Sequence, residues 1–169
     1  MGEFMGEFDV SRETQPREIE RKWLLAWIPE LLENCPHTAI YQGYLAIGAD
    51  GSEVRVRDKA GKYTLTVKSG GSLERTESEV PITTEQFDVL WLATAGERIQ
   101  KTRYDVPYKG AKIEVDIYGG DLYGLEVAEV EFTNTEEAEA FVAPVWFGAE
   151  VTENPAYKNQ NLAVNGWRA

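Results

Sequence analysis

The sequence contains a single cysteine, Cys35, which excludes an internal disulfide. Nothing in the composition points to an oxidising compartment, so we expect a cytoplasmic protein. Long hydrophobic runs are also missing, because the most apolar stretches, 23–32 and 141–151, are interrupted by proline and glutamate. Neither stretch is long enough to cross a bilayer. The sequence therefore predicts a domain that folds around its own hydrophobic core, with no membrane partner.

Basic residues are in the minority. There are 17 lysines and arginines against 29 acidic residues, which gives a formal net charge of -12. This charge repels nucleic acid and anionic membrane surfaces, and we expect neither as a partner. A local concentration of the few bases would nevertheless bind an anion, so the positions of the bases matter more than their number.

The first eight residues, MGEFMGEF, repeat a four-residue unit. They lack both the basic region and the apolar run of a secretory signal. We interpret residues 1–16 as a tag remnant with a disordered N-terminus. Residues 17–169 then form one domain, a length that is ordinary for a single core.

Alternation of polar and apolar residues, interrupted by turn sequences such as Asp50-Gly51 and Ala60-Gly61, predicts a mainly β protein of the α+β class. The predicted strands cover residues 17–24, 38–48, 52–58, 62–69, 72–80, 97–107, 111–118 and 125–133. Their short connections favour antiparallel pairing. Helices are predicted at residues 29–35 and 83–96, after Asn134, and at 156–166.

Charged residues recur at alternate positions of seven predicted strands. Because successive side chains point to opposite faces, Glu18, Glu20 and Lys22 share one face, and Arg21 lies on the other. The same spacing relates further groups: Arg55 and Arg57; Thr64, Thr66 and Lys68; Arg75, Glu77 and Glu79; Lys101 and Arg103; Glu114 and Asp116; Glu129 and Glu131. A sheet with one wet face would explain charges of both signs. A barrel with helices packed outside would instead gather them in its interior.

A charged interior cannot be dry, because burying an unpaired charge costs several kcal/mol. It must hold water, ions or a charged ligand. Lysine and arginine bind phosphate oxygens, whereas carboxylates hold hard divalent cations such as magnesium or manganese. Phosphoryl transfer requires both kinds of group.

The charged strands begin with a Glu-x-Glu-x-Lys motif at residues 18–22. Further motifs follow in order at residues 41–47, 54–57, 66–70, 74–79, 101–104, 114–116 and 128–132, with a closing segment NPAYKNQNLA at 154–163. This series resembles the CYTH superfamily of triphosphate tunnel metalloenzymes, in its bacterial inorganic tripolyphosphatase branch. The resemblance implies a closed eight-stranded antiparallel β-barrel that forms a tunnel, with the helices outside and the closing segment as a lid.

The resemblance also implies roles for individual residues. Mg²⁺ or Mn²⁺ is the implied cofactor, and its implied ligands are Glu18, Glu20, Glu129 and Glu131, with Glu77, Glu114 and Asp116 as supporting charges or a second metal site. The implied substrate-binding residues are Lys22, Arg55, Arg57, Lys68, Arg75, Lys101, Arg103 and Tyr44. The resemblance further implies that Lys101 lies near the scissile phosphate and acts in catalysis together with Glu18 and Glu20. Family members are often dimers, which leaves a homodimer open.

The implied reaction is in-line attack of water on a terminal phosphorus of a triphosphate. We see no base-binding insertion in the sequence, which favours inorganic tripolyphosphate, split into diphosphate and phosphate. A thiamine triphosphatase, a nucleoside triphosphatase and a class IV adenylate cyclase stay open, because Tyr63, Tyr118 or Trp146 could stack on a ring near a tunnel mouth. A polyphosphate-binding module without catalysis is the alternative outside the enzymes.

Overall fold

A computed structural model describes residues 19–69 and 76–167, which form one nine-stranded antiparallel sheet with three α-helices. The strands are β1 (Ile19–Leu25), β2 (His37–Ile47), β3 (Glu53–Lys59), β4 (Lys62–Lys68), β5 (Glu77–Pro81), β6 (Arg98–Tyr108), β7 (Ala111–Tyr118), β8 (Glu126–Phe132) and β9 (Phe147–Glu150). The helices are α1 (Thr84–Leu92), α2 (Thr135–Ala140) and α3 (Asn159–Asn165). Short 3-10 helices cover Glu30–Asn34, Gly120–Leu122 and Pro155–Tyr157.

The strands are arranged in the order β5-β4-β3-β2-β6-β7-β8-β1-β9. The predicted mainly β class is confirmed, but the predicted number of eight strands was wrong, because β9 pairs with β1. Across residues 19–69 and 76–167, the two edges of the sheet are β5 and β9, and no strand pairing joins them. The predicted closure into a barrel is therefore not confirmed.

One face of the sheet carries the larger hydrophobic core. Ile113 and Val115 of β7 pack there with Trp23 of β1, and the chain segments that cover them contribute Leu32 and Trp146. Helix α2 packs on β1 and β8. The apolar positions of β7 that alternate with charges are therefore buried, as the sequence pattern predicts.

A second apolar cluster lies at one end of the opposite face. It joins Tyr44 and Tyr118 to Leu162 and Ala163 of α3. Helix α3 packs against β2 and β6. At this end of the sheet, the face that carries the charged residues is therefore lined by apolar residues, and the C-terminal segment covers them.

Local sequence signals set the helix boundaries. Thr83 accepts a hydrogen bond from the backbone N–H of Gln86, whose side chain accepts one from the backbone N–H of Thr83, so α1 begins with the predicted capping box. Asn134 accepts from the backbone N–H of Glu137 and begins α2. Gly166 follows α3 with φ of 71°, a conformation that glycine adopts without strain.

Several predictions fall outside the described residues. These are the tag remnant at 1–16, with its boundary to the domain at 17, and the side chains of Glu18 and Arg75. Among the residues that the structure describes, no helix is long and apolar enough to cross a membrane.

Candidate active site

The predicted charged positions of seven strands converge on one face of the sheet, which we call the charged face. Register pairs place Lys22 opposite Glu129, Arg103 opposite Asp116 and Lys68 opposite Glu77. The described members of the charged face are Glu20, Lys22, Arg55, Arg57, Lys68, Glu77, Glu79, Lys101, Arg103, Glu114, Asp116, Glu129 and Glu131. Arg21 lies on the opposite face, where it donates to Glu150 and to the carbonyl of Ala138.

Arg103 of β6 is the centre of an ion-pair network. Its Nε donates to Asp116 Oδ1 at 2.7 Å and its Nη2 to Asp116 Oδ2 at 2.7 Å, a bidentate pair. Nη1 donates to Glu114, and Nη2 also reaches Glu129 Oε2 at 3.2 Å. Burial alone lowers the pKa of a guanidinium, but these carboxylates outweigh it and raise the pKa of Arg103. Arg103 is therefore a fixed cation that orients three carboxylates.

Lys101 and Asp116 form a buried ion pair beside Arg103. Lys101 Nζ donates to Asp116 Oδ2 at 2.6 Å, and the Asp116 side chain is 0% exposed. Burial raises the pKa of Asp116, but Lys101 and Arg103 outweigh burial and lower it from 3.8 to about 2. Burial lowers the pKa of Lys101, and the attraction of Asp116 offsets this only in part. This ammonium group stays within a largely water-free part of the site.

Lys22 links β1 to β8 at the other end of the network. Its Nζ lies 2.9 Å from Glu129 Oε1 and 3.9 Å from Glu20 Oε1. Burial and the repulsion of Glu129 raise the pKa of Glu20 to about 7, with Glu131 adding to the effect. Carboxylates therefore crowd this corner more than Lys22 can balance, and added positive charge would stabilise them.

The opposite side of the charged face is rich in arginine. Arg55 Nη1 donates to Glu53 Oε1 at 2.8 Å, and Arg57 Nη2 to Glu79 Oε2 at 3.4 Å. The Nε atoms of both arginines are buried and lack a hydrogen-bond partner. Burial, followed by the repulsion of Arg55, lowers the pKa of Arg57. Arg57 is therefore a desolvated cation that Arg55 repels, whereas negative charge is in excess around Glu20.

A cavity of about 280 Å³ lies between the charged face and the C-terminal segment. Lys22, Arg55 and Lys68 line it from the sheet. The backbone carbonyl of Tyr157, at the other wall, accepts a hydrogen bond from Lys22 Nζ at 3.2 Å. The segment that the sequence predicts to be a lid therefore already contacts a predicted phosphate ligand.

Tyr44 lines the same cavity and is 1% exposed, with its hydroxyl accepting from Gln42 Nε2 at 2.7 Å. The charged face also includes Glu53, which the sequence interpretation missed and which pairs with Arg55. Thr66, on the same face as Lys68 as the alternation predicted, donates to Glu79 Oε2 at 3.0 Å. Glu53 has the same alternating spacing as Arg55 and Arg57, so the signal for it was present in the sequence.

In the part of the chain that the structure describes, the predicted metal ligands lie on the charged face. Within 19–69 and 76–167, no group of three or more carboxylate, histidine or cysteine side chains is arranged to hold a metal ion. The Asp116 and Glu129 carboxylates are engaged by lysine and arginine instead. The assigned roles of the predicted metal and substrate ligands remain predictions.

The charged face brings lysine, arginine and carboxylate side chains together on an antiparallel sheet, and comparison with known proteins gives the family of the chain. A protein of Nitrosomonas europaea called inorganic triphosphatase is 44% identical over 150 residues, which cover 88% of this chain and 97% of the relative. An inorganic triphosphatase of Acetivibrio thermocellus is 35% identical over 156 residues, covering 90% of this chain and 96% of the relative.

A crystal structure of an inorganic triphosphatase superimposes with a TM-score of 0.72 at 41% identity, covering 88% of this chain and 95% of that one. No protein-family model matches the sequence. The identity and coverage of these relatives nevertheless show that the chain belongs to the inorganic triphosphatase family, within the CYTH superfamily of triphosphate tunnel metalloenzymes.

Proposed function

We propose that the protein hydrolyses inorganic tripolyphosphate to diphosphate and phosphate. The observation that carries this proposal is the neighbouring pair Arg55 and Arg57, whose buried Nε atoms have no hydrogen-bond partner. The pKa of Arg57 is lowered by burial and by Arg55, so an anion between these side chains would relieve the repulsion. Phosphate oxygens, which accept bidentate guanidinium hydrogen bonds, suit this position.

We propose Mg²⁺ or Mn²⁺ as the cofactor, held by Glu20, Glu129 and Glu131 together with Glu18. The donor set fits a hard cation, because all these ligands are carboxylates. One observation supports the position: burial and the repulsion of Glu129 raise the pKa of Glu20, so added positive charge would stabilise its carboxylate. When bound, such a cation neutralises phosphate charge and makes water a better nucleophile.

The chain's own residues would position the reacting groups. Lys22, Arg55, Arg57 and Lys68 would bind the phosphate oxygens, with Arg75 as a further predicted ligand. Lys101, fixed by Asp116 at 2.6 Å, would stabilise charge on the leaving diphosphate. Arg103, bound to Asp116, Glu114 and Glu129, would hold the carboxylates in place while the substrate enters. Catalysis then consists of orientation and charge stabilisation, without a covalent intermediate.

The surroundings of three aromatic side chains favour tripolyphosphate over substrates that carry a ring. Tyr63 packs on Phe87 of α1, with ring centroids 4.9 Å apart. Trp146 is 6% exposed in the larger core, and Tyr118 is 2% exposed beneath α3. All three are therefore committed to packing, so a nucleobase or a thiazolium ring would lack the stacking partners considered above.

The test is hydrolysis of tripolyphosphate, ATP, thiamine triphosphate and diphosphate, each with Mg²⁺ and with Mn²⁺, scored for phosphate, diphosphate and cyclic AMP. We expect tripolyphosphate to be hydrolysed fastest, with phosphate and diphosphate in equal amounts. Preferred turnover of ATP or thiamine triphosphate would establish one of the other triphosphatases, and cyclic AMP a cyclase. Tight binding of tripolyphosphate without hydrolysis under any metal would favour the polyphosphate-binding module.

A further inference from the structure

We propose that Tyr118 is a positioning residue that couples docking of the C-terminal helix α3 to the geometry of Lys101. The inference rests on the proposed function, since it concerns the placement of a lysine that acts on tripolyphosphate. The proposal assigns a role to a tyrosine that contributes no ligand to the substrate.

Tyr118 contacts the catalytic centre and α3 with different parts of its side chain. Its ring centroid lies 5.4 Å from Lys101 Nζ, a cation–π distance, and Lys101 is its register partner on β6. Its hydroxyl donates to Asn159 Oδ1 at 2.7 Å, at the first residue of α3. A single rigid side chain therefore connects the ammonium group of Lys101 to the helix that covers the cavity.

The surroundings of Tyr118 keep this connection stiff. The residue is 2% exposed and packs in the same cluster as Leu162 and Ala163 of α3. Its backbone N–H donates to the carbonyl of Leu125 at 3.0 Å, which fixes the end of β7. Movement of α3 away from the sheet would break the bond to Asn159 and expose one side of the ring.

The C-terminal segment reaches the site by a second route as well. Just before α3, the carbonyl of Tyr157 accepts a hydrogen bond from Lys22 Nζ at 3.2 Å, and Gln160 lines the cavity. Docking of the segment therefore affects Lys22 directly and Lys101 through Tyr118. Because such coupling is reciprocal, a bound polyanion that orders the two lysines will also favour the docked segment.

Removal of the phenolic hydroxyl of Tyr118 distinguishes the proposed positioning role from ordinary core packing. Tyr118→Phe keeps the ring beside Lys101 and the packing against α3, and removes the bond to Asn159. We expect the KM for tripolyphosphate to rise about fivefold, the factor that corresponds to the loss of one net hydrogen bond, with kcat changed less than about twofold. Asn159→Ala should give the same rise, and the double variant no further rise, because both changes remove one interaction.

Tyr108→Phe is the matched control. It removes a hydroxyl that donates to the carbonyl of Val142 at 3.2 Å, beside the larger core and away from the cavity. Amide hydrogen exchange of residues 159–165 gives a readout that does not depend on turnover. Exchange there should be faster in Tyr118→Phe and Asn159→Ala than in the unmodified protein, and unchanged in Tyr108→Phe.

Unchanged KM and unchanged exchange in Tyr118→Phe would overturn the proposal, as would equal effects of Tyr118→Phe and Tyr108→Phe. If the unmodified protein does not hydrolyse tripolyphosphate, the proposed function fails. Amide hydrogen exchange then tests whether Lys101 and α3 are coupled. Lys101→Met should accelerate exchange of residues 159–165, and unchanged exchange in α3 would contradict the coupling. Additive KM effects in the Tyr118→Phe and Asn159→Ala double variant would also contradict a shared interaction.

Discussion

Arg57 and Arg21 lie on opposite faces of the sheet. Replacing Arg57 by glutamine should weaken substrate binding, whereas replacing Arg21 by glutamine should lower the stability of the fold. Arg57, on the charged face, pairs with Glu79 at 3.4 Å and has a buried Nε without a partner. Arg21, on the other face, donates to Glu150 at 2.8 and 2.7 Å and to the carbonyl of Ala138 at 2.6 Å. The first arginine is poorly satisfied without a ligand, and the second is fully engaged.

The expected magnitudes follow from these contacts. Arg57→Gln removes a desolvated cation that Arg55 repels, so the free energy of unfolding should change by less than about 0.5 kcal/mol. It also removes a charge-assisted bond to phosphate worth about 1.5–3 kcal/mol, which is roughly a 10- to 150-fold rise in KM. Arg21→Gln loses three hydrogen bonds at a partly exposed site, about 1–2 kcal/mol of stability, with KM unchanged.

Urea unfolding and steady-state hydrolysis of tripolyphosphate, measured on the same preparations, give both quantities. The unmodified protein and the Arg21→Gln variant serve as controls for KM, and the Arg57→Gln variant serves as a control for stability. The reasoning would be refuted if Arg57→Gln lowered the unfolding midpoint as much as Arg21→Gln and left KM unchanged. Equal losses of binding in both variants would mean that the assignment of the two faces is wrong.

Three other perturbations test separate parts of the structure. Glu129→Gln should lower hydrolysis by more than about 100-fold and weaken metal stimulation, while calorimetry in EDTA should find tripolyphosphate bound at least as tightly, because a repulsive carboxylate is gone. The hydrogen bond from Arg21 lowers the pKa of Glu150 below its ordinary 4.5, so the stability it adds is present above pH 4.5 and lost as the pH falls through the folded-state pKa. The difference between the unmodified protein and Arg21→Gln in thermal melts should therefore narrow below pH 4.5. Gly43→Ala should destabilise the fold by about 1–3 kcal/mol in urea titrations, because its Cβ would lie 2.4 Å from Oγ1 of the buried Thr94; a melt like that of the unmodified protein would contradict that steric argument.

Much of the sheet could be predicted because its strands alternate strictly. In β3, valines at 54 and 56 alternate with Arg55 and Arg57, and this pattern is unlike that of a helix. β9 was missed because Phe147–Glu150 is only four residues long, too short for alternation to be recognised. Its pairing with β1 is a long-range contact, which no local pattern encodes.

The membership of the charged face was predictable, whereas its ion pairing was not. Alternation places Lys101 and Arg103 on one face, but their contact with Asp116 depends on the register between β6 and β7. Tyr118 illustrates the same limit, because its partner Asn159 lies 41 residues further along the chain. Contacts of this kind depend on how the strands and helices are arranged in space. The face on which a strand residue lies depends only on whether its position in the strand is odd or even.

The edge strand β5 has a bearing on how the molecule behaves at high concentration. All five of its residues are exposed, and the strand contains Glu77 and Glu79 and ends at Pro81. Unprotected edges invite intermolecular strand addition, which repelling carboxylates and a residue without an N–H both disfavour. Glu77 and Glu79, which pair with Lys68 and Arg57 within one molecule, thus also disfavour fibrillar association between molecules.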